Sequence, residues 1–160
     1  MVVKGEKMKY VIGIDPGKSG AIAILSLDRK EVYTYAFSKH TEHDLCSALR
    51  TWEDIGIVMC HIEKVHSMPK QGVKSVFTFG QNFGWYIGML DALQITYEFI
   101  PPLKWQKEMS CRSGGDKNVT KRRAQQLFPK IKITHAIADA LLIAENLRRR
   151  EVDSPVDLLD

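Results

Sequence analysis

"YVIGIDPGKSGAIAILSL", Tyr10–Leu27, decides the fold. An apolar run from Tyr10 ends on Asp15, breaks at Pro-Gly, and resumes as a second β-forming run, Ala21–Leu27. Two such runs around a glycine-containing break predict a hairpin. Outward from it, "EVYTYAF" (Glu31–Phe37) alternates and supplies a third strand. Thr41 and Asp44 have the spacing of a capping box, ahead of Leu45, Leu49 and Trp52 at helical intervals. "IGIVMCHIE" (Ile55–Glu63) is nearly continuous apolar sequence, as expected of a strand covered on both faces, yet it ends on a carboxylate.

Between Val73 and Leu93 the apolar positions follow helical spacing, with Gly80, Gly84 and Gly88 four apart on one stripe. Each glycine costs about 1 kcal/mol inside a helix, so something approaches this stripe closely: the sheet, or a second copy of the helix. "ITYEFIPP" (Ile95–Pro102) reads as a fifth strand, "LKWQKEMSCRSGGDKN" as a mobile loop, Thr120–Phe128 as a short helix and Thr134–Arg150 as the last one. Residues 1–8 form a polar leader, and "EVDSPVDLLD" (151–160) an acidic, frayed tail. The order gives a single α/β domain over 1–160, a mixed five-stranded sheet with helices on its faces.

The chain has 160 residues, 44% hydrophobic and 26% charged, a soluble composition. Cys46, Cys60 and Cys111 are odd in number and unpaired by motif, which points to reduced thiols in a cytoplasm. No apolar run approaches the ~20 residues of a membrane span, so no membrane partner is expected. The formal charge is only +4, but Lys104–Lys132 holds nine basic residues against Glu108 and Asp116. Within it Lys104, Lys107, Arg112, Lys117, Lys121, Arg122 and Arg123 are candidate phosphate contacts; the plainer reading is a solvated basic face. Trp105, between two lysines, either stacks on a base or fills the core.

Asp15 and Glu63 each end a strand, and His135 and Asp139 lie one turn apart on the last helix. Taken singly, Asp15 is a turn residue, Glu63 a surface partner of Lys64 and His135 a cap-region histidine. If the first and fourth strands are neighbours, the acids converge and raise one another's pKa, a conflict that divalent cations resolve. Two ions held by oxygen ligands are the usual apparatus for attack of water on a phosphodiester.

"GIDPGKSGAIAIL", "IEKVHSMPKQG" with "FTFGQNFGWYIGML", "PLKW" with its later Gly-Gly-Asp-Lys, and "HAIADALLIAE" follow one another as in the RuvC family of Holliday junction resolvases, and the chain resembles its phage-type members most. The resemblance spans about Tyr10 to Arg149. It implies an RNase H-like fold, a homodimer, and Mg²⁺- or Mn²⁺-dependent symmetric nicking of four-way DNA junctions, two ions per site, in recombination and repair within a bacterial or phage-infected cell.

By position Asp15, Glu63 and Asp139 match the family's catalytic acids, and Lys104 and Lys117 its basic residues near the scissile phosphate. His135 stands where an acid is common, at a spacing of four from Asp139 where three is usual in bacteria. The implied dimer face includes Phe77, Gly80, Phe83, Gly84 and Ile87. His66 occupies the place of an aromatic wedge. In the implied mechanism Asp15 bridges two cations, Glu63 and Asp139 each complete one sphere, His135 ligates or orients water, and Lys117 steadies the phosphorane. The opening motif also resembles that of sugar kinases and actin-like ATPases, which need two such domains; a non-catalytic junction-binding module is the other alternative.

Overall fold

A computed structural model describes residues 9–65 and 70–153, without the side chain of Val58. Its five-stranded sheet has the order β3-β2-β1-β4-β5. β1 (Tyr10–Asp15) lies at the centre, antiparallel to β2 (Ala21–Ser26) and parallel to β4 (Ile57–Glu63). β3 (Val32–Ala36) and β5 (Tyr97–Ile100) form the edges. The expected hairpin closes with Asp15 opposite Ala21, and the turn is tight: a Cβ on Gly20 would lie 2.0 Å from the Asp15 carbonyl oxygen.

Both faces are covered, which explains the continuous apolar runs in β1, β2 and β4. Ile12, Ile14, Ile22, Ile24, Cys60 and Ile62 face α1 (Glu42–Gly56) and α2 (Val73–Ala92). Val11, Ala21, Ala23 and Leu25 face α5 (His135–Asp153), flanked by α3 (Pro102–Glu108) and α4 (Lys117–Leu127). The capping box is present: Asp44 N–H donates to the Thr41 hydroxyl and Thr41 N–H to the Asp44 carboxylate.

Side chains alternate along a strand, so Asp15 shares the α5 face with Val11 and Gly13, and Glu63 shares it with His61 and Met59. α5 then settles very close to β1. A Cβ on Gly13 would lie 2.3 Å from the Ala144 nitrogen and 2.4 Å from the Ala140 carbonyl oxygen. Glycine on the strand and alanines on the helix permit this approach, which places Asp139, beside Ala140, over the end of β1.

Several boundaries differ from expectation. The loop expected from Leu103 begins as helix α3, started by Pro102 at its first turn and anchored by fully buried Trp105. Seven residues are too few for a period to show. α4 starts at Lys117, three residues early, because Asp116 accepts from the Asn118 N–H as its cap. α1 runs to Gly56, so β4 begins at Ile57, and β5 is confined to Tyr97–Ile100. α5 continues through Asp153 where the tail was expected to begin.

Candidate active site

The C-terminal ends of β1 and β4 and the first turns of α4 and α5 enclose a cleft of about 420 Å³. Asp15, Glu63, Lys117, His135 and Asp139 all line it, together with Gly17, Lys18, Ser19 and Gly20 of the hairpin turn. The structure thus brings the five candidate residues to one cleft. Asp15 also serves as a turn residue, accepting from the Gly17 N–H at 3.1 Å, while its side chain lines the cleft.

The electrostatics are unfavourable to three bare anions. Burial, with Asp139 beside it, raises Asp15 to about 6 against the opposing Gly17 N–H and Lys117. Burial and Asp15 together lift Glu63 to about 8, although the Trp105 indole opposes the change. Asp139 is raised by burial, against Thr120, Lys117 and His135. Its Oδ1 is buried with no hydrogen-bond partner. The cleft therefore retains protons near neutrality and attracts cations. Among the described residues, however, no three acidic, histidine or cysteine side chains are gathered tightly enough to grip an ion as they stand.

One contact of the cleft was not legible in the sequence. Trp105 is in the core, but its indole N–H also donates to Glu63 Oε2 at 2.7 Å, fixing the carboxylate from behind. The signal available was its place after "PP", one turn beyond a strand paired with β4. Nor is Glu63 an exposed partner of Lys64.

The basic segment is divided. Lys117 reaches the cleft; Lys104 and Lys107 lie exposed on α3 and do not line it. Arg112 is exposed, and Lys121 and Arg122 line a separate small cleft on α4. The Arg123 guanidinium is engaged with the Met109 carbonyl at 2.8 Å and with Gln126, joining α4 to the end of α3. His66 lies outside the described residues.

On α2, Tyr86, Met89 and Leu90 bury against the sheet and Phe83 packs partly beside them. Ile87 is half-buried and Phe77 exposed. A Cβ on Gly80, Gly84 or Gly88 would meet nothing within 4 Å, so sheet packing does not explain the glycine stripe.

The fold is RNase H-like, a mixed five-stranded sheet between helical layers, and solved RuvC chains share it. A Thermus thermophilus RuvC structure matches with a TM-score of 0.58 at 11% identity, over 89% of this chain and 96% of that one. T. thermophilus RuvC in complex with Holliday junction substrate matches with a TM-score of 0.59, also at 11% identity, over 91% and 96%. No family model and no curated protein sequence matches. Among the described residues no helix is long and apolar enough to cross a membrane.

Proposed function

We propose that the protein is a divalent-metal-dependent endonuclease that resolves four-way and related branched DNA by paired, symmetric phosphodiester hydrolysis. The observation that carries this reading is the cleft itself: three carboxylates from β1, β4 and α5, two of them raised to about 6 and 8, beside Lys117. The likeness to a chain solved with Holliday junction substrate supports the choice of DNA.

The residues suit Mg²⁺ or Mn²⁺. Asp15, Glu63 and Asp139 offer hard oxygen donors, one of them the unpartnered Oδ1, with His135 as a fourth candidate ligand. When bound, two such ions supply the positive charge that in-line hydrolysis requires at the attacking and leaving oxygens. The Gly17 N–H holds Asp15, and Trp105 orients Glu63. Lys117 offsets the charge developing on the phosphoryl group, and His135, where it does not ligate an ion, orients the attacking water.

Symmetric cutting calls for two copies. The exposed face of α2, with Val73, Phe77 and the open glycines, suits pairing with its counterpart. Lys104, Lys107, Arg112, Lys121 and Arg122 would hold the junction arms. The phage-type placement, in a bacterial or phage-infected cytoplasm and serving recombination or repair, rests on the sequence motifs.

A second reading, a junction-binding module without catalysis, is favoured by the acids' not being gathered around an ion position. Incubating a labelled immobile four-way junction with the protein and Mg²⁺ or Mn²⁺ separates the two. Paired nicks at symmetry-related phosphates support the nuclease; an intact but shifted junction supports the module.

A further inference from the structure

The acidic cleft does not end at the hairpin turn. Lys18 lines it on one side and on the other lines a second cleft of about 370 Å³, between that turn and the first half of α2. Lys74, Ser75, Thr78 and Asn82 supply its far wall, and no carboxylate lines it. Lys18 and Lys74 are exposed, and neither has an ion-pair partner among the described residues.

We propose that this second cleft carries the sugar–phosphate backbone of the DNA strand beyond the cut site, so that the strand passes over the acids and leaves across Lys18 and Lys74. The inference rests on the nuclease reading and extends its substrate path. A polyanion brought to three carboxylates is repelled there, and cations on both sides of the contact offset the repulsion. Lys117 supplies one side; Lys18 supplies the other. Ser75, Thr78 and Asn82 are neutral donors of the kind that fix backbone register without reading sequence. The first turn of α2 has no acidic residue and no side-chain cap, so its dipole favours an anion in the same place.

The cleft side of α2 is distinct from its glycine stripe. Lys74, Ser75, Thr78 and Asn82 recur at helical intervals on a face roughly opposite Phe77, Gly80 and Gly84. A nucleic-acid strand and a second protein copy can therefore occupy the helix at once. Lys18 and Lys74 are far apart in sequence and outside the basic segment, which is why charge counting overlooked them.

The test is binding of a labelled immobile four-way junction in chelator, so that cutting is off, as a function of salt. Lys18→Ala/Lys74→Ala is expected to weaken binding roughly tenfold near physiological salt and to lower the slope of log K against log[salt] by about 2 for each protomer bound, close to one per lost phosphate contact. Lys18→Arg/Lys74→Arg is expected to restore it. Lys30→Ala/Lys130→Ala removes the same charge beside Phe128, at the opposite end of the sheet, and is expected to leave the slope within error. An unchanged slope in the first variant, or an equal fall in the control, would overturn the proposal. A wild type that binds with the expected slope but never nicks would sink the nuclease reading and leave the cleft standing.

Discussion

α5 carries two buried acids with opposite fates. Glu145 is wholly inaccessible, and burial pushes its pKa up, yet its carboxylate ends below its ordinary value. Arg148 donates at 2.7 and 3.0 Å, Arg149 at 3.1 Å, and Arg29 stands at 4.0 Å. Arg148 also donates to the Leu27 carbonyl, Arg29 donates to that of Leu127, and the Arg29 guanidinium lies over the Phe128 ring. Asp139, under two turns earlier, retains an unpartnered oxygen, and burial holds its pKa raised. Burial is common to both ends; compensation is not. At the Glu145 end buried charge ties the helix to the turn between β2 and β3, whereas at the Asp139 end Thr120, Lys117 and His135 offset burial only in part, where a substrate or cation can enter.

The sharpest way to break the contrast is to remove the compensated acid. Glu145→Ala leaves two or three guanidinium groups facing a buried gap and is expected to cost about 3–5 kcal/mol, read from denaturant unfolding, a large share of the stability of such a domain. A loss under about 1 kcal/mol would make the cluster a surface feature.

Neutralising an uncompensated acid should have the opposite sign. Folded Glu63 holds its proton to about pH 8, while in the unfolded chain it releases it near 4.5. Between those values the native state binds the extra proton, so the metal-free wild type loses stability as pH rises. Glu63→Gln does not titrate and is expected to be more stable than wild type at pH 8 by about 2 kcal/mol, well below the unscreened value of such a shift. Near pH 4 the difference should vanish. A variant less stable than wild type at pH 8 would contradict the crowding argument.

Smaller effects probe the support of the site. Trp105→Phe keeps most of the packing and removes the donor to Glu63. Nicking is expected to fall about tenfold, with the pH profile moved to higher pH because a contact that lowers the Glu63 pKa is gone. Loss of rate with an unmoved profile would make Trp105 a packing residue only. Smallest is the choice of ion. Imidazole suits Mn²⁺ better than Mg²⁺, so wild type is expected to cut severalfold faster with manganese and His135→Asp to narrow the gap; equal rates at saturating amounts of either ion would remove His135 from the ligand set.

The uncompensated end was the more legible in sequence. Asp15 and Glu63 interrupt apolar runs at strand ends, and a period of two puts both on the α5 face once β1 and β4 are neighbours. Asp139 interrupts an apolar helix in the same way. The Glu145 cluster was not legible, because an acid followed by Arg148 and Arg149 resembles an ordinary solvated helix end, and Arg29 reaches it only through the fold. α3 was missed because its stability comes from burying Trp105 and not from any repeating pattern. The glycine stripe was visible, but its direction was not: only the packed structure turns it away from the sheet.

The nuclease reading turns on Asp15, which lines the acidic cleft from the end of β1. Its most direct test compares wild type with Asp15→Asn on a labelled immobile four-way junction with Mn²⁺ or Mg²⁺, measuring nicking and binding together. The account predicts at least about a thousandfold loss of nicking, some 4 kcal/mol of barrier, with junction binding retained or strengthened as a negative charge leaves the cleft. Nicking that survives Asp15→Asn at a comparable rate would contradict it.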